Sequence, residues 1–67
     1  MTNDEALAAL GHLIGSRYVP SIKSYISELT QRPRIVGPNE MSTKEYDTTR
    51  IHIAADAAGT IVSFHFG

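Results

Sequence analysis

Residues 37–47, Gly-Pro-Asn-Glu-Met-Ser-Thr-Lys-Glu-Tyr-Asp, show neither the three-four spacing of a helix nor the alternation of a strand. They separate the short apolar run Arg34-Ile35-Val36 from the alternating run Arg50-Ile51-His52-Ile53-Ala54. A connection of this length is long for a hairpin, and structureless loops near this size usually carry function. If the two strands lie parallel, the loop has to bridge the sheet from end to end. Its polar character suits a segment held open and offered to another protein rather than one that does chemistry.

The rest of the chain must support that loop with few resources. Sixty-seven residues make one domain with one small core, and such a chain buries only about 60% of its unfolded surface. There is no cysteine, so neither disulfides nor thiolate metal sites can add staples. Six basic residues against seven acidic give a net charge of -1. A nucleic-acid partner, which usually shows as a clustered basic excess, is not expected. No apolar run approaches the ~20 residues that span a bilayer, so no membrane partner is expected either. The start, Met1-Thr2-Asn3-Asp4-Glu5, is acidic and lacks the basic region of a signal peptide. The chain is therefore expected to be cytoplasmic, or a mature secreted form with an added Met.

Thr2 and Glu5 precede an Ala/Leu-rich run with the spacing of a capping box. Asp4 and Glu5 also suit the positive end of a helix dipole. A first helix is predicted over residues 3–13, with Leu7, Leu10 and Ile14 on one face and a stop near Gly11 or Gly15. Tyr18, Val19, Ile22, Tyr25, Ile26 and Leu29 mark a second, amphipathic helix. Ser21, Lys23, Ser24, Ser27 and Glu28 fall on its other face. Pro20 is tolerated only in the first turn, so the helix should run from near Val19 to about Thr30, and Pro33 forces the chain out. After the loop, Ile51 and Ile53 share one face of a strand and Arg50 and His52 the other. Asp56-Ala57-Ala58-Gly59 reads as a turn. In the last strand, residues 60–66, Val62, Phe64 and Phe66 stand opposite Ile61, Ser63 and His65. The order is helix, helix, strand, loop, strand, turn, strand: an α+β fold of two helices packed on a small mixed sheet, with a long exposed loop.

Leu13-Ile14-Gly15, the helix after Tyr18, Arg34-Ile35-Val36, Thr43-Lys44-Glu45-Tyr46, Arg50-Ile51-His52-Ile53 and Gly67 follow one another in a set order. That order resembles the potato inhibitor I family of serine-protease inhibitors, the eglin-like proteins, over roughly residues 13–67. The N-terminal helix and the Arg-Ile-His-Ile strand are similar to its fungal and bacterial elastase-inhibitor branch. The resemblance implies one protease-inhibitor domain over residues 1–67, not an enzyme, with no cofactor, acting as a monomer on a serine protease. It makes Lys44–Glu45 the reactive bond. Ser42, Thr43, Tyr46 and Asp47 become protease-contacting loop residues, and Arg50, His52 and Gly67 loop supports. Lys44 would enter the specificity pocket, and a Lys matches the carboxylate at the base of a trypsin-type pocket. Subtilisin-like targets stay open as well.

Three departures from the family bear on this. The elastase-inhibitor branch ties its first helix to the penultimate residue by a disulfide. The matching positions here are Thr2 or a neighbour and Phe66, so Phe66 is expected to pack against the first helix instead. The stretch from Gly15 to Pro33 is longer than in the family, by close to a helical turn. Many members carry two Arg on the strand behind the loop. Here Arg50 is kept and His52 stands in the second place, which implies support that is weaker, or pH-dependent through His52.

Taken singly, each of these residues has an ordinary reading. Lys44 reads as an exposed Lys in a turn, Glu45 as a solvated charge, Thr43 as a turn residue and Arg50 as a surface residue of an edge strand. Only their joint spacing lifts them. His12, His52 and His65 include no His-x-x-x-His pair and no Cys partner, so surface or half-buried histidines are expected rather than a metal site. Ser42, Ser63 and His65 form no triad by sequence, and no Gly-x-Ser-x-Gly elbow occurs. The competing function is a non-inhibitory interaction domain, or a diverged or engineered scaffold of the same fold. A small regulatory subunit dimerising through its edge strand has no residue-level support beyond chain size.

Overall fold

The computed structural model describes residues 2–40 and 47–67. The chain forms helix α1 (Asn3–Leu10), a single 3-10 turn (Gly11–Leu13), helix α2 (Ser21–Thr30), and strands β1 (Ile35–Val36), β2 (Ile51–Ala55) and β3 (Ile61–Phe66). The sheet order is β1-β2-β3. β1 pairs with β2 in parallel, Ile35 opposite Ile51, and β2 pairs with β3 antiparallel. The architecture is the expected α+β arrangement of two helices and a small mixed sheet. Because β1 and β2 are parallel neighbours, residues 37–50 carry the chain from one end of the sheet to the other.

The capping box forms as predicted. Thr2 Oγ1 accepts the Glu5 amide at 3.2 Å, and Glu5 returns a carboxylate to the Thr2 amide at 2.9 Å. The buried side of α1 keeps the expected Leu10 but not Leu7 or Ile14. Ala6, Leu10 and Leu13 are buried, whereas Leu7 and Ile14 are exposed. The α-helix ends at Leu10, and the tighter 3-10 turn that follows eclipses residues three apart, which aligns Leu13 with Leu10. α2 begins at Ser21, not Val19, with Pro20 as its cap residue. Ile26 and Thr30 are its buried positions, while Val19, Tyr25 and Leu29 stay largely exposed. A buried bond from Thr30 Oγ1 to the Ile26 carbonyl (2.7 Å) and a left-handed Gln31 (φ 56°) end it. Pro33 then turns the chain into β1.

The β2–β3 turn is built on Asp56. Its Oδ1 accepts the amides of Ala58 (2.9 Å) and Thr60 (3.0 Å), an Asx-type closure. Gly59 adopts φ 85°, which favours glycine. Within β3 the alternation read from sequence breaks. The register slips so that Ala54 faces Ser63 while Ala55 faces Ile61. Val62 is the extra residue of a bulge and is exposed, and Ile61 joins Phe64 and Phe66 on the helix-facing side. The core is Leu10, Leu13, Ile26, Ile51, Ile53, Ile61 and Phe64, edged by Tyr18, Ile22, Ile35 and Phe66. Residues 15–18 close the structure along β3: the Gly15 amide donates to the Ile61 carbonyl and the Ile61 amide to that of Ser16, each at 2.8 Å.

Candidate functional site

Of the sequence-derived site residues, Ser42, Thr43, Lys44, Glu45 and Tyr46 lie outside the described residues. The flanks on which they hang are described in full.

The approaching flank leaves β1 at Gly37, which is buried. A Cβ there would stand 2.6 Å from both Glu40 Oε2 and Tyr18 Oη, so any larger residue would push these two side-chain ends aside. Glu40 folds back over it. The Glu40 amide donates to the Gly37 carbonyl at 3.2 Å, and Lys23 Nζ of α2 donates to Glu40 Oε1 at 2.7 Å. The Lys23 bond, then the Gly37 amide, hold the Glu40 carboxyl below the usual carboxylate range. Asn39 takes a left-handed φ of 65° to make this turn, a conformation asparagine tolerates.

The departing flank begins at Asp47. Its Oδ1 accepts the Thr49 hydroxyl at 2.6 Å and the Thr49 amide at 2.9 Å. Its other oxygen lies 3.5 Å from Arg34 Nη1. The Thr49 bonds depress the Asp47 carboxyl first, and the Arg34 and Arg50 charges add to the effect. Asp47 thus has its carboxylate directed at the protein's own turn and at Arg34, just ahead of β1.

Arg50, His52 and Gly67 come together behind this flank. Arg50 is buried (7% exposed). Its Nε donates to the Gly67 main-chain oxygen at 3.0 Å, and the Gly67 amide donates to the Arg50 carbonyl at 3.1 Å. His52 Nε2 bonds the same Gly67 oxygen. The His52 ring also stacks on that of His65 across the strand pair, with centroids 4.7 Å apart and planes 7° from parallel. His12 is elsewhere, bonded to Tyr25 Oη at 2.8 Å. Among the described residues no group of three His, Cys, Asp or Glu could hold a metal ion.

Arg32 and Asn3 were not foreseen. Arg32 is buried (7% exposed). Its Nη1 donates to Asn3 Oδ1 at 2.7 Å and to the Thr49 carbonyl at 3.1 Å. Its guanidinium sits over the Phe66 ring, 5.4 Å from the centroid. Asn3 Nδ2 donates to the Thr48 carbonyl at 3.0 Å. The start of α1 is therefore joined to the end of β3 by a cation–π contact and a hydrogen bond. The sequence signals of these two residues were local only: an Arg at a helix stop and an Asn in a first turn. Nothing in their spacing reports partners on the far side of the fold.

Two helices on a mixed three-stranded sheet, with a long connection between parallel neighbours whose described flanks are both anchored to the body, define the class of the scaffold. No family model matches the chain and no curated protein matches it. Among solved structures it is similar to the elastase inhibitor AFUEI (crystal form II), at 29% sequence identity and a TM-score of 0.59, with 96% of this chain and 91% of that one covered. The fold is that of a protease inhibitor.

Proposed function

We propose that this protein is a reversible, tight-binding serine-protease inhibitor of the potato inhibitor I type, a single inhibitory domain that presents the Lys44–Glu45 bond. The observation that carries this reading is the anchoring of both flanks of residues 41–46. Glu40 is tied to Lys23 and Gly37 on one side. Asp47, Thr48, Thr49 and Arg50 are tied to Arg34, Asn3, Arg32 and Gly67 on the other. The similarity to an elastase inhibitor supports the same reading.

Fixed ends explain how a substrate-like segment becomes an inhibitor. A free peptide loses conformational entropy when a protease holds it extended, whereas a loop shaped by its own protein has lost that freedom on folding, so more of the contact energy appears as affinity. After attack, the serine oxygen holds the Lys44 carbonyl as an ester and the Glu45 amine is released. Held in place, that amine attacks the ester again and restores the peptide, because proximity gives it a very high effective concentration. Ser42, Thr43 and Tyr46 would touch the protease along with Asp47, while Arg50, His52 and Gly67 brace the exit.

Lys44 sets the target. An elastase pocket is small, whereas a trypsin-type pocket ends in a carboxylate that pairs with a Lys. The expected target is therefore trypsin-like even though the similar structure is an elastase inhibitor, and tolerant subtilisin-like enzymes are the second class. Titration of trypsin, chymotrypsin, elastase and subtilisin with the protein tests this. Stoichiometric loss of trypsin activity is expected. Digestion of the chain without inhibition, or no effect on any of the four, favours a non-inhibitory scaffold.

A further inference from the structure

We propose that Arg32 and Asn3 are positioning residues for the departing half of the loop, a non-covalent clasp that keeps the Glu45 amine in place after cleavage. This rests on the inhibitory reading above. Three observations lead to it. Arg32 Nη1 and Asn3 Nδ2 donate to the consecutive carbonyls of Thr49 and Thr48. The two side chains bond each other at 2.7 Å, so they act as one unit. Arg32 is in turn fixed by burial and by the Phe66 ring beneath its guanidinium.

The chemistry makes the position of these carbonyls matter. Serine attack breaks the Lys44–Glu45 amide and forms an ester at the Lys44 carbonyl, with the serine proton passing to the departing Glu45 amine. Attack by that amine re-forms the amide and returns the serine hydroxyl. Attack by water instead leaves the Lys44 carboxylate and an opened loop. The balance depends on how long the segment starting at Glu45 stays in register. The Thr48 and Thr49 carbonyls are held by an amide and a charge-assisted bond from α1 and from the segment after α2, next to the Arg50–Gly67 bond. Helix α1 is thereby part of the site although it lies far from the reactive bond in sequence.

The test compares Asn3→Ala and Arg32→Gln with Arg32→Lys and a remote core control, Ile53→Val. Alanine is a better helix former than asparagine, so the cost of Asn3→Ala comes from the clasp and not from α1. Two quantities are read: the rate of hydrolysis of the Lys44–Glu45 bond in the trypsin complex, by mass spectrometry, and amide exchange at residues 48–50 in the free protein. Asn3→Ala and Arg32→Gln should raise the hydrolysis rate by about tenfold, the scale of losing one hydrogen bond to a charged group. They should also speed exchange at residues 48–50, and Arg32→Lys should fall between them and wild type. Ile53→Val should leave both readouts at wild-type values, even at equal loss in Tm. If the wild type inhibits but the clasp variants match the Ile53→Val control in both readouts, the clasp is overturned alone. If the wild type inhibits none of the four proteases, the inhibitory reading falls and takes the proposed role with it, whatever exchange shows.

Discussion

At the residue scale, the proposed inhibitory role predicts different responses to substitution at Lys44 and in the frame around it. Lys44→Leu should keep the fold and lose trypsin inhibition by at least about a hundredfold, the scale of removing one partner of a buried charge pair. Inhibition of chymotrypsin should rise in its place. Inhibition constants for both enzymes check this, and an unchanged trypsin constant would remove Lys44 from the role. The residues most legible in the sequence were those with a strict local signature. Thr2 and Glu5 announced a capping box, Asp56 and Gly59 a turn, and both formed. In the sequence Gly37 stands out only as the first residue of the loop. Its buried, crowded surroundings depend on Glu40 and on Tyr18 from the α2 approach, and no local pattern encodes that meeting.

At the element scale, the loop ends rest on carboxylates whose folded values are lowered, Glu40 by Lys23 and Asp47 by Thr49. A group depressed on folding stabilises the fold fully above its unfolded value and loses that contribution as pH falls through its folded value. Their contribution should thus be complete above about pH 5, just over the ordinary values for Asp and Glu, and fade below it. Glu5 in the capping box is lowered by its bonds to Thr2 and acts in the same direction. Urea midpoints measured between neutral and acid pH should fall below that point, with a shallower fall in a Glu40→Gln, Asp47→Asn double variant. Parallel curves for the two proteins would refute it. The elements themselves were largely visible in hydrophobic spacing, with errors where geometry changed within an element. The 3-10 turn after α1 buries Leu13 in place of Ile14 beside the expected Leu10, and the bulge in β3 reverses Ile61 and Val62. Period-based reading assumes one period per segment, and neither segment keeps one.

At the scale of the whole molecule, a single small core supports everything. Leu10 is wholly buried within it, and Leu10→Ala should cost about 2–5 kcal/mol. A core of this size rarely supplies more than about 3–5 kcal/mol in total. Circular dichroism should show that variant mostly unfolded at room temperature; a native-like melting curve would mean α1 is not integral to the fold. The topology was conditionally legible. The long connection required a sheet-spanning path if β1 and β2 were parallel, but only the paired strands decide that condition. The outer rails of the sheet carry one more consequence. β1 offers just two residues of ladder, and β3 is kinked at Val62 and lined outward by Ser63 and His65. A second chain seeking to extend the array finds no straight run of vacant amides to copy among the described residues, so the bulge that exposes Val62 also discourages amyloid-style growth.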